Sequence, residues 1–135
     1  VPDAVIVHRY EFSRNRDKFF LVERNRMVMV LSLWGTRSLV LLAPLLVMFE
    51  GAVFILALRQ GWWREKVRSW WWVLRNARWI AGRRAPMQAA RTTSDRVLIP
   101  VIEPTLDPGN FPLPPALAPL QLPLRLWWRV VRRFL

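Results

Sequence analysis

The sequence predicts a mainly α-helical, membrane-associated chain, and three stretches carry this prediction. Residues 38–58 are apolar apart from Glu50, and at about 1.5 Å per residue they nearly match the roughly 30 Å core of a bilayer. Residues 61–82 contain six of the nine tryptophans, and residues 124–135 place apolar and basic side chains at helical spacing. The alternative for residues 38–58 is a buried core helix, although a soluble domain of this size rarely contains so long an apolar run.

The charge balance favours lipid as the partner. The formal net charge is +12, while 53% of the residues are hydrophobic. Basic charge alone would suggest nucleic acid or anionic lipid, but tryptophans and arginines together settle at the headgroup level of membranes. A nucleic-acid binder would not account for residues 38–58, so membrane lipids with anionic headgroups are the expected partners. The absence of cysteine excludes a disulfide scaffold and thiolate metal sites.

Residues 1–17 are predicted to be the tail end of a larger domain. Residues 1–7 are typical of a buried strand that ends at His8, and a polar loop follows. The first residue is not methionine, so we expect further sequence upstream. A lone histidine such as His8 is more often structural than catalytic.

Residues 18–60 are predicted to form juxtamembrane and membrane helices, with a weak break at residues 35–37. Glu50 is the intramembrane polar residue of this stretch. A carboxylate at membrane depth has to be protonated, paired, or turned toward protein or water. Equally compatible with the sequence is a helix that kinks at Pro44 and lies shallow, which would place Glu50 near the interface.

Residues 61–96 are predicted to form a Trp/Arg-rich amphipathic region in the membrane interface. The alternative is a helix packed on its own protein's core. The predicted apolar stripe consists of Trp63, Val67, Trp70, Leu74, Ala77 and Ala81. The residues predicted to contact the membrane, throughout the chain, are Arg24, Arg26, Arg37, Trp62, Trp63, Trp70, Trp71, Trp127, Trp128, Arg129, Arg132 and Arg133.

Residues 97–123 contain eight prolines and are predicted to be an extended linker. Residues 124–135 are predicted to form a basic amphipathic helix. A helix of a dozen residues is marginal unless it has a surface to bind.

The motifs of the chain, taken in order, resemble a known enzyme family. No Gly-rich phosphate loop, nucleophile elbow or metal-ligand cluster is present. The sequence VPDAVIVHRYEFSRN is followed by K-x-F-x-x-ERNR, a long Leu/Val-rich run, Gly61-Trp62, and then RRAPMQAARTTSD. This order is similar to the C-terminal part of bacterial family-2 glycosyltransferases. In that family a "PdAvvyH" strand ends the α/β catalytic domain of GT-A type, and membrane-associated helices and a basic "RRxxxQxxRxxSD" segment follow.

The resemblance covers about residues 1–96, and it implies a fold and an activity. The fold would be membrane-associated helices that follow the last strand of a truncated α/β (GT-A) domain. The activity would be transfer of a sugar from a nucleotide-sugar donor to a lipid or envelope-glycan acceptor, at the cytoplasmic face of the bacterial inner membrane. A divalent metal, Mg or Mn, would neutralise the leaving diphosphate.

Of the family's site residues only His8 maps onto this sequence, where it matches the histidine that often lies beside the metal or diphosphate. His8 is therefore a candidate catalytic or metal-binding residue. The Asp-rich metal motif and the catalytic carboxylate lie upstream in the family, so these 135 residues alone are expected to bind no metal and transfer no sugar. The alternative function is a stand-alone basic, Trp-rich membrane-binding or scaffold protein without enzyme activity.

The distribution of basic residues also predicts how the chain is arranged in the membrane. Basic residues flank residues 38–58 on both sides, and the positive-inside rule would place both flanks in the cytoplasm. We therefore expect a re-entrant or shallow helical hairpin in preference to a single crossing. Gly35, Pro44 and Gly51 are the positions where such a hairpin could bend.

Overall fold

The computed structural model describes residues 17–101 and 115–135, and every regular element in these two ranges is helical. The prediction of a mainly α-helical chain is confirmed for this part. The predicted strand at residues 1–7 and His8 lie outside the described residues. The helices are α1 (Asp17–Leu33), α2 (Thr36–Gln60), α3 (Trp63–Arg75), α4 (Ala77–Ala89) and α5 (Gln121–Phe134), with short 3-10 helices at Asp95–Val101 and Pro115–Leu120.

The first four helices lie side by side. At one end, Phe19 of α1 stacks on Trp62 just before α3, with ring centroids 4.7 Å apart. At the other end, Gln88 of α4 donates a hydrogen bond of 2.9 Å to the carbonyl of Ser32 in α1. The pair α3–α4 therefore runs parallel to α1 and packs directly against it, and α2 returns in the opposite direction.

Glycines at both ends of α2 set its limits. Gly35 is extended, with φ −60° and ψ 151°, and precedes the first residue of α2. Gly61 has φ 80°, a left-handed conformation that glycine adopts readily, and its N–H bonds the carbonyl of Ala57. Between them α2 is continuous through Pro44 and Gly51. Of the three positions, only Gly35 therefore interrupts the helices, and a hairpin within α2 is not formed.

The region predicted as one amphipathic helix is divided at Asn76. The side-chain amide of Asn76 donates to the carbonyl of Trp72 at 2.8 Å, and the backbone N–H of Ile80 bonds the carbonyl of Asn76 at 2.9 Å. An asparagine side chain competes with the helical backbone for such bonds, which explains why α3 ends here and α4 begins.

Helix α5 packs across the first half of α2. Trp128, Val131 and Leu135 form a buried cluster with Leu42 of α2. The indole of Trp127 donates a hydrogen bond of 2.9 Å to the carbonyl of Leu41. The surface that this marginal helix requires is thus supplied, in this structure, by α2 itself.

The proline-rich segment is helical where it is described. Both Asp95–Val101 and Pro115–Leu120 are 3-10 helices, and α5 already begins at Gln121. The prediction of an extended linker is therefore wrong for residues 97–101 and 115–120. Proline fits the first turn of a helix because the N–H that it lacks has no partner there, which is why Pro123 is tolerated inside α5. Residues 102–114 lie outside the described part.

Candidate membrane-binding surface

One face of α2 is apolar and exposed along its whole length. Its large side chains are Val40, Val47, Ile55 and Leu58, and Val47 is 72% exposed. Within the described residues, α2 is the one helix long and apolar enough to cross a membrane, and almost none of it is buried inside the protein. A monomeric soluble protein rarely leaves such a stripe in water.

Helix α3 buries two polar residues and exposes several apolar ones, and its arginines 64, 68 and 75 are also exposed. Lys66 and Ser69 are both 0% exposed. The opposite face carries four apolar side chains that are 40–67% exposed, namely Trp63, Val67, Trp71 and Leu74. In water this orientation is unfavourable for both faces, so it indicates an apolar environment beside α3.

Helix α5 also exposes apolar side chains. Its apolar face is wider than the part of it that packs on α2. Leu126, Val130 and Phe134, spaced four residues apart, remain 42–51% exposed beside the strip that packs on Leu42. The arginines of α5 lie on its remaining face.

The exposed apolar faces of α2 and α3 differ in their direction relative to α1. Helix α1 contacts α2 near Glu50 and contacts the face of α3 that carries Lys66. At 100° per residue, Trp71 lies about 140° from Lys66 and points away from α1, whereas Val47 lies about 60° from Glu50, at the edge of the face beside α1. We call the exposed faces of α2, α3 and α5 the apolar surface.

Basic side chains border this apolar surface. Arg37 and Arg59 are exposed at the two ends of α2. Along α3, Arg64 lies over the ring of Trp63 at 5.5 Å from its centroid. A rim of arginines beside tryptophans is typical of proteins that bind anionic headgroups.

Behind the apolar surface, four ionisable side chains from three helices form a charge cluster of Glu23, Arg26, Glu50 and Lys66. The Lys66 ammonium donates to both carboxylates, at 2.7 Å to Glu50. Arg26 also pairs with both, at 2.7 Å to Glu23. Burial alone would lower the pKa of Arg26, but hydrogen bonds to Glu23 and Glu50 outweigh it and raise that pKa.

The charge cluster shows that the Glu50 carboxylate is paired within the protein. Its carboxylate also accepts a hydrogen bond of 2.6 Å from the indole of Trp70. Glu50 is therefore paired and turned toward protein, and no kink at Pro44 is needed to bring it to the interface. Two acids and two bases leave the charge cluster neutral, which suits a position beneath an apolar surface.

A second polar group fixes the junction between α1 and α2. The carboxylate of Asp95 accepts hydrogen bonds from the backbone N–H of Gly35 at 2.9 Å and from the Ser38 hydroxyl, and it pairs with Arg91. A negative charge at this position stabilises the first turn of α2. Burial of Asp95 tends to raise its pKa, but the bonds from Arg91, Ser38 and Gly35 outweigh this and lower it.

The end of α1 at the same junction is capped by α4. Arg84 donates to the carbonyls of Leu31 and Trp34, and Gln88 donates to those of Ser32 and Leu33. These carbonyls have no partner within α1, so the contacts satisfy groups that every helix end leaves free. An open cavity of about 740 Å³ lies beside the junction, but its arginines 91 and 96 already have partners in the protein.

The importance of Asp95 can be tested by its pH dependence. We expect Asp95→Ala to lower the free energy of unfolding by about 1–2 kcal/mol at neutral pH, the upper range for loss of a helix cap. Because the folded-state pKa is lowered, this stabilisation is complete above the ordinary carboxyl value of about 3.9 and is lost as pH falls from there through the lowered folded-state pKa. Urea titrations of both proteins should therefore show a stability difference that is constant from about pH 7 to about pH 5 and shrinks toward about pH 3. Asp17→Ala, at an exposed ion pair, is the control, and a difference for Asp95→Ala that does not shrink below about pH 5 would contradict the assignment.

The structure separates the predicted membrane-contacting residues into two groups. Trp62 and Trp128 are 6% exposed, Trp70 bonds Glu50, and Arg26 belongs to the charge cluster, so these four side chains pack within the protein. These side chains differ from the sequence prediction because they find hydrogen-bond partners or packing sites inside the protein. The other predicted membrane-contacting residues are at least partly exposed, and they are Arg24, Arg37, Trp63, Trp71, Trp127, Arg129, Arg132 and Arg133.

The sequence analysis missed the partners of Glu50, although a signal was present. A lone carboxylate in an apolar helix requires a cation, and the flanking helices carry several, among them Arg26 and Lys66. The sequence analysis also missed the capping role of Asp95. Asp95 begins a 3-10 helix, but its contact with Gly35 spans sixty residues and has no local signature.

The metal implied by the resemblance finds no site in this part of the chain. Among residues 17–101 and 115–135, no three His, Asp or Glu side chains lie together in a way that could hold a metal ion. His8, the one candidate from the sequence, lies outside these ranges. The described residues therefore offer no ligand set for the metal that the resemblance implies.

No protein-family model, curated protein or solved structure matches this chain. The resemblance to glycosyltransferases consequently rests on the sequence motifs alone. The physical evidence for membrane contact does not depend on it, because that evidence comes from the exposed faces of the helices.

Proposed function

We propose that these residues are the membrane-associating part of a bacterial family-2 glycosyltransferase. The parent enzyme would transfer a sugar from a nucleotide-sugar to a lipid or envelope-glycan acceptor at the cytoplasmic face of the inner membrane. The observation that supports the proposal is the apolar surface, which would lie against lipid and so beside a membrane-held acceptor.

The motifs of the resemblance also support the proposal, since they hold this surface together. The ERNR motif supplies Glu23 and Arg26 to the charge cluster. The basic segment at residues 83–95 supplies Arg84, Gln88 and Asp95 to the helix junction. Sequence similarity at these positions would therefore preserve the arrangement of the helices, whereas the chemistry of transfer would belong to residues upstream.

Transfer itself can be tested with the full gene. Membranes from cells that express the protein together with its upstream coding sequence should move label from a radioactive nucleotide-sugar into a lipid or envelope extract. In that protein we expect His8→Ala to lower turnover at least about tenfold, as for loss of one positioned polar or metal-linked group. Unchanged turnover with normal folding would make His8 structural, and no transfer from any of a panel of donors would contradict the proposed enzyme.

A second candidate is a stand-alone membrane-binding or scaffold protein. It is favoured by the fact that, within the described residues, α2, α3 and α5 are sufficient to form the apolar surface. The two candidates differ in the coding sequence upstream of Val1. An open frame that encodes an Asp-x-Asp motif would favour the enzyme, and a start codon beside Val1 would favour the scaffold.

A further inference from the structure

We infer that α2 lies within one leaflet, parallel to the membrane plane, and does not cross the bilayer. The inference rests on the proposed membrane association and adds the orientation. The partner is the headgroup and upper acyl region of an anionic leaflet, and the contact is the apolar surface with its rim of arginines.

The first argument comes from the helices beside α2. Contacts between Phe19 and Trp62 at one end, and between Ser32 and Gln88 at the other, place α1 and α3–α4 along the length of α2. If α2 crossed the bilayer in this arrangement, both neighbours would cross with it. Their exposed arginines, which include Arg64, Arg75 and Arg78, would then enter hydrocarbon, where a charge is strongly unfavourable.

The second argument comes from the composition of the exposed face of α3. Trp63, Trp71 and Leu74 are exposed there, and the exposed arginines Arg64 and Arg75 lie beside them on the same helix. A basic helix with tryptophans on its apolar face is typical of proteins that lie in the interface.

The third argument concerns the ends of α2. Arg37 and Arg59 are both exposed and lie near opposite ends of a helix of 25 residues, about 37 Å long. Helix α2 in the membrane plane allows both arginines to reach phosphates of the same leaflet. It also leaves both flanks on the cytoplasmic side without the bend inside α2 that the sequence suggested.

The orientation can be tested with single cysteines, because the chain contains none. Thr36→Cys and Gln60→Cys mark the two ends of α2, and Val47→Cys marks its middle. The full-length protein carrying each change is placed in inner-membrane vesicles of known orientation, treated with a membrane-impermeant thiol reagent, and spin-labelled in parallel for depth measurements. We expect Thr36→Cys and Gln60→Cys to react from the cytoplasmic side only, and the label at Val47→Cys to lie about 5–10 Å below the phosphates.

Three other outcomes would overturn the inference, and each would point to a different arrangement. Reaction of the two ends from opposite sides, with Val47→Cys about 15 Å deep, would show that α2 crosses the bilayer, and the proposed function would survive. Dipolar coupling between labels at Val47→Cys that persists on dilution with lipid would show that a second copy covers the stripe. Failure of all variants and of the unmodified protein to sediment with the vesicles would contradict the proposed function itself.

Discussion

Replacement of Lys66 by alanine is expected to lower the free energy of unfolding by about 3–5 kcal/mol, the usual cost of leaving a buried charge without its partner. Lys66 is 0% exposed and donates to both Glu23 and Glu50. Without it, two carboxylates compete for Arg26 alone. Urea unfolding in detergent micelles, followed by tryptophan fluorescence, measures the loss.

Two control variants separate the loss of pairing from other effects. Arg68→Ala removes an ion pair with Asp17 whose side chains are more than half exposed, so it should cost less than about 1 kcal/mol. A variant with all four members of the charge cluster made neutral, E23Q, R26Q, E50Q and K66M, should recover most of the loss, since it leaves no unpaired charge. If Lys66→Ala cost no more than Arg68→Ala, the charge cluster would not hold the helices together.

The sequence was sufficient to predict the helices but not their contacts. Apolar content and spacing located α2 and α5 to within a few residues, because both signals are local. The stripe predicted for residues 61–82 was partly misassigned, since Trp70 turns inward to bond Glu50 while its neighbour Trp71 is exposed. A helical wheel cannot distinguish adjacent tryptophans at the edge of a stripe, and the choice depends on a partner twenty residues away.

The reversed polarity of α3 could not be predicted from the pattern alone. An amphipathic helix is equally compatible with either face turned inward, and the usual expectation in water is that the apolar face is buried. Here the need to neutralise Glu23 and Glu50 draws Lys66 inward, and the apolar face is left outside as a consequence. The same interaction that satisfies the buried carboxylates therefore creates part of the apolar surface.

Replacement of Trp63, Trp71 and Leu74 together by glutamine is expected to weaken binding to anionic vesicles about a thousandfold. These side chains are 40%, 59% and 67% exposed, and each should contribute about 1.4 kcal/mol, a factor of about ten, when lipid covers it, about 4 kcal/mol in total. Vesicle sedimentation gives the partition coefficient, and binding should be tighter to anionic than to neutral lipid because of the arginine rim.

The matched control changes three exposed apolar residues of α1, Val22, Met29 and Leu33, which are not part of the apolar surface, and it should leave binding nearly unchanged. Equal losses for the two triple variants would show that lipid also covers α1, and a loss for the α1 variant alone would place the membrane against α1 and not against α3.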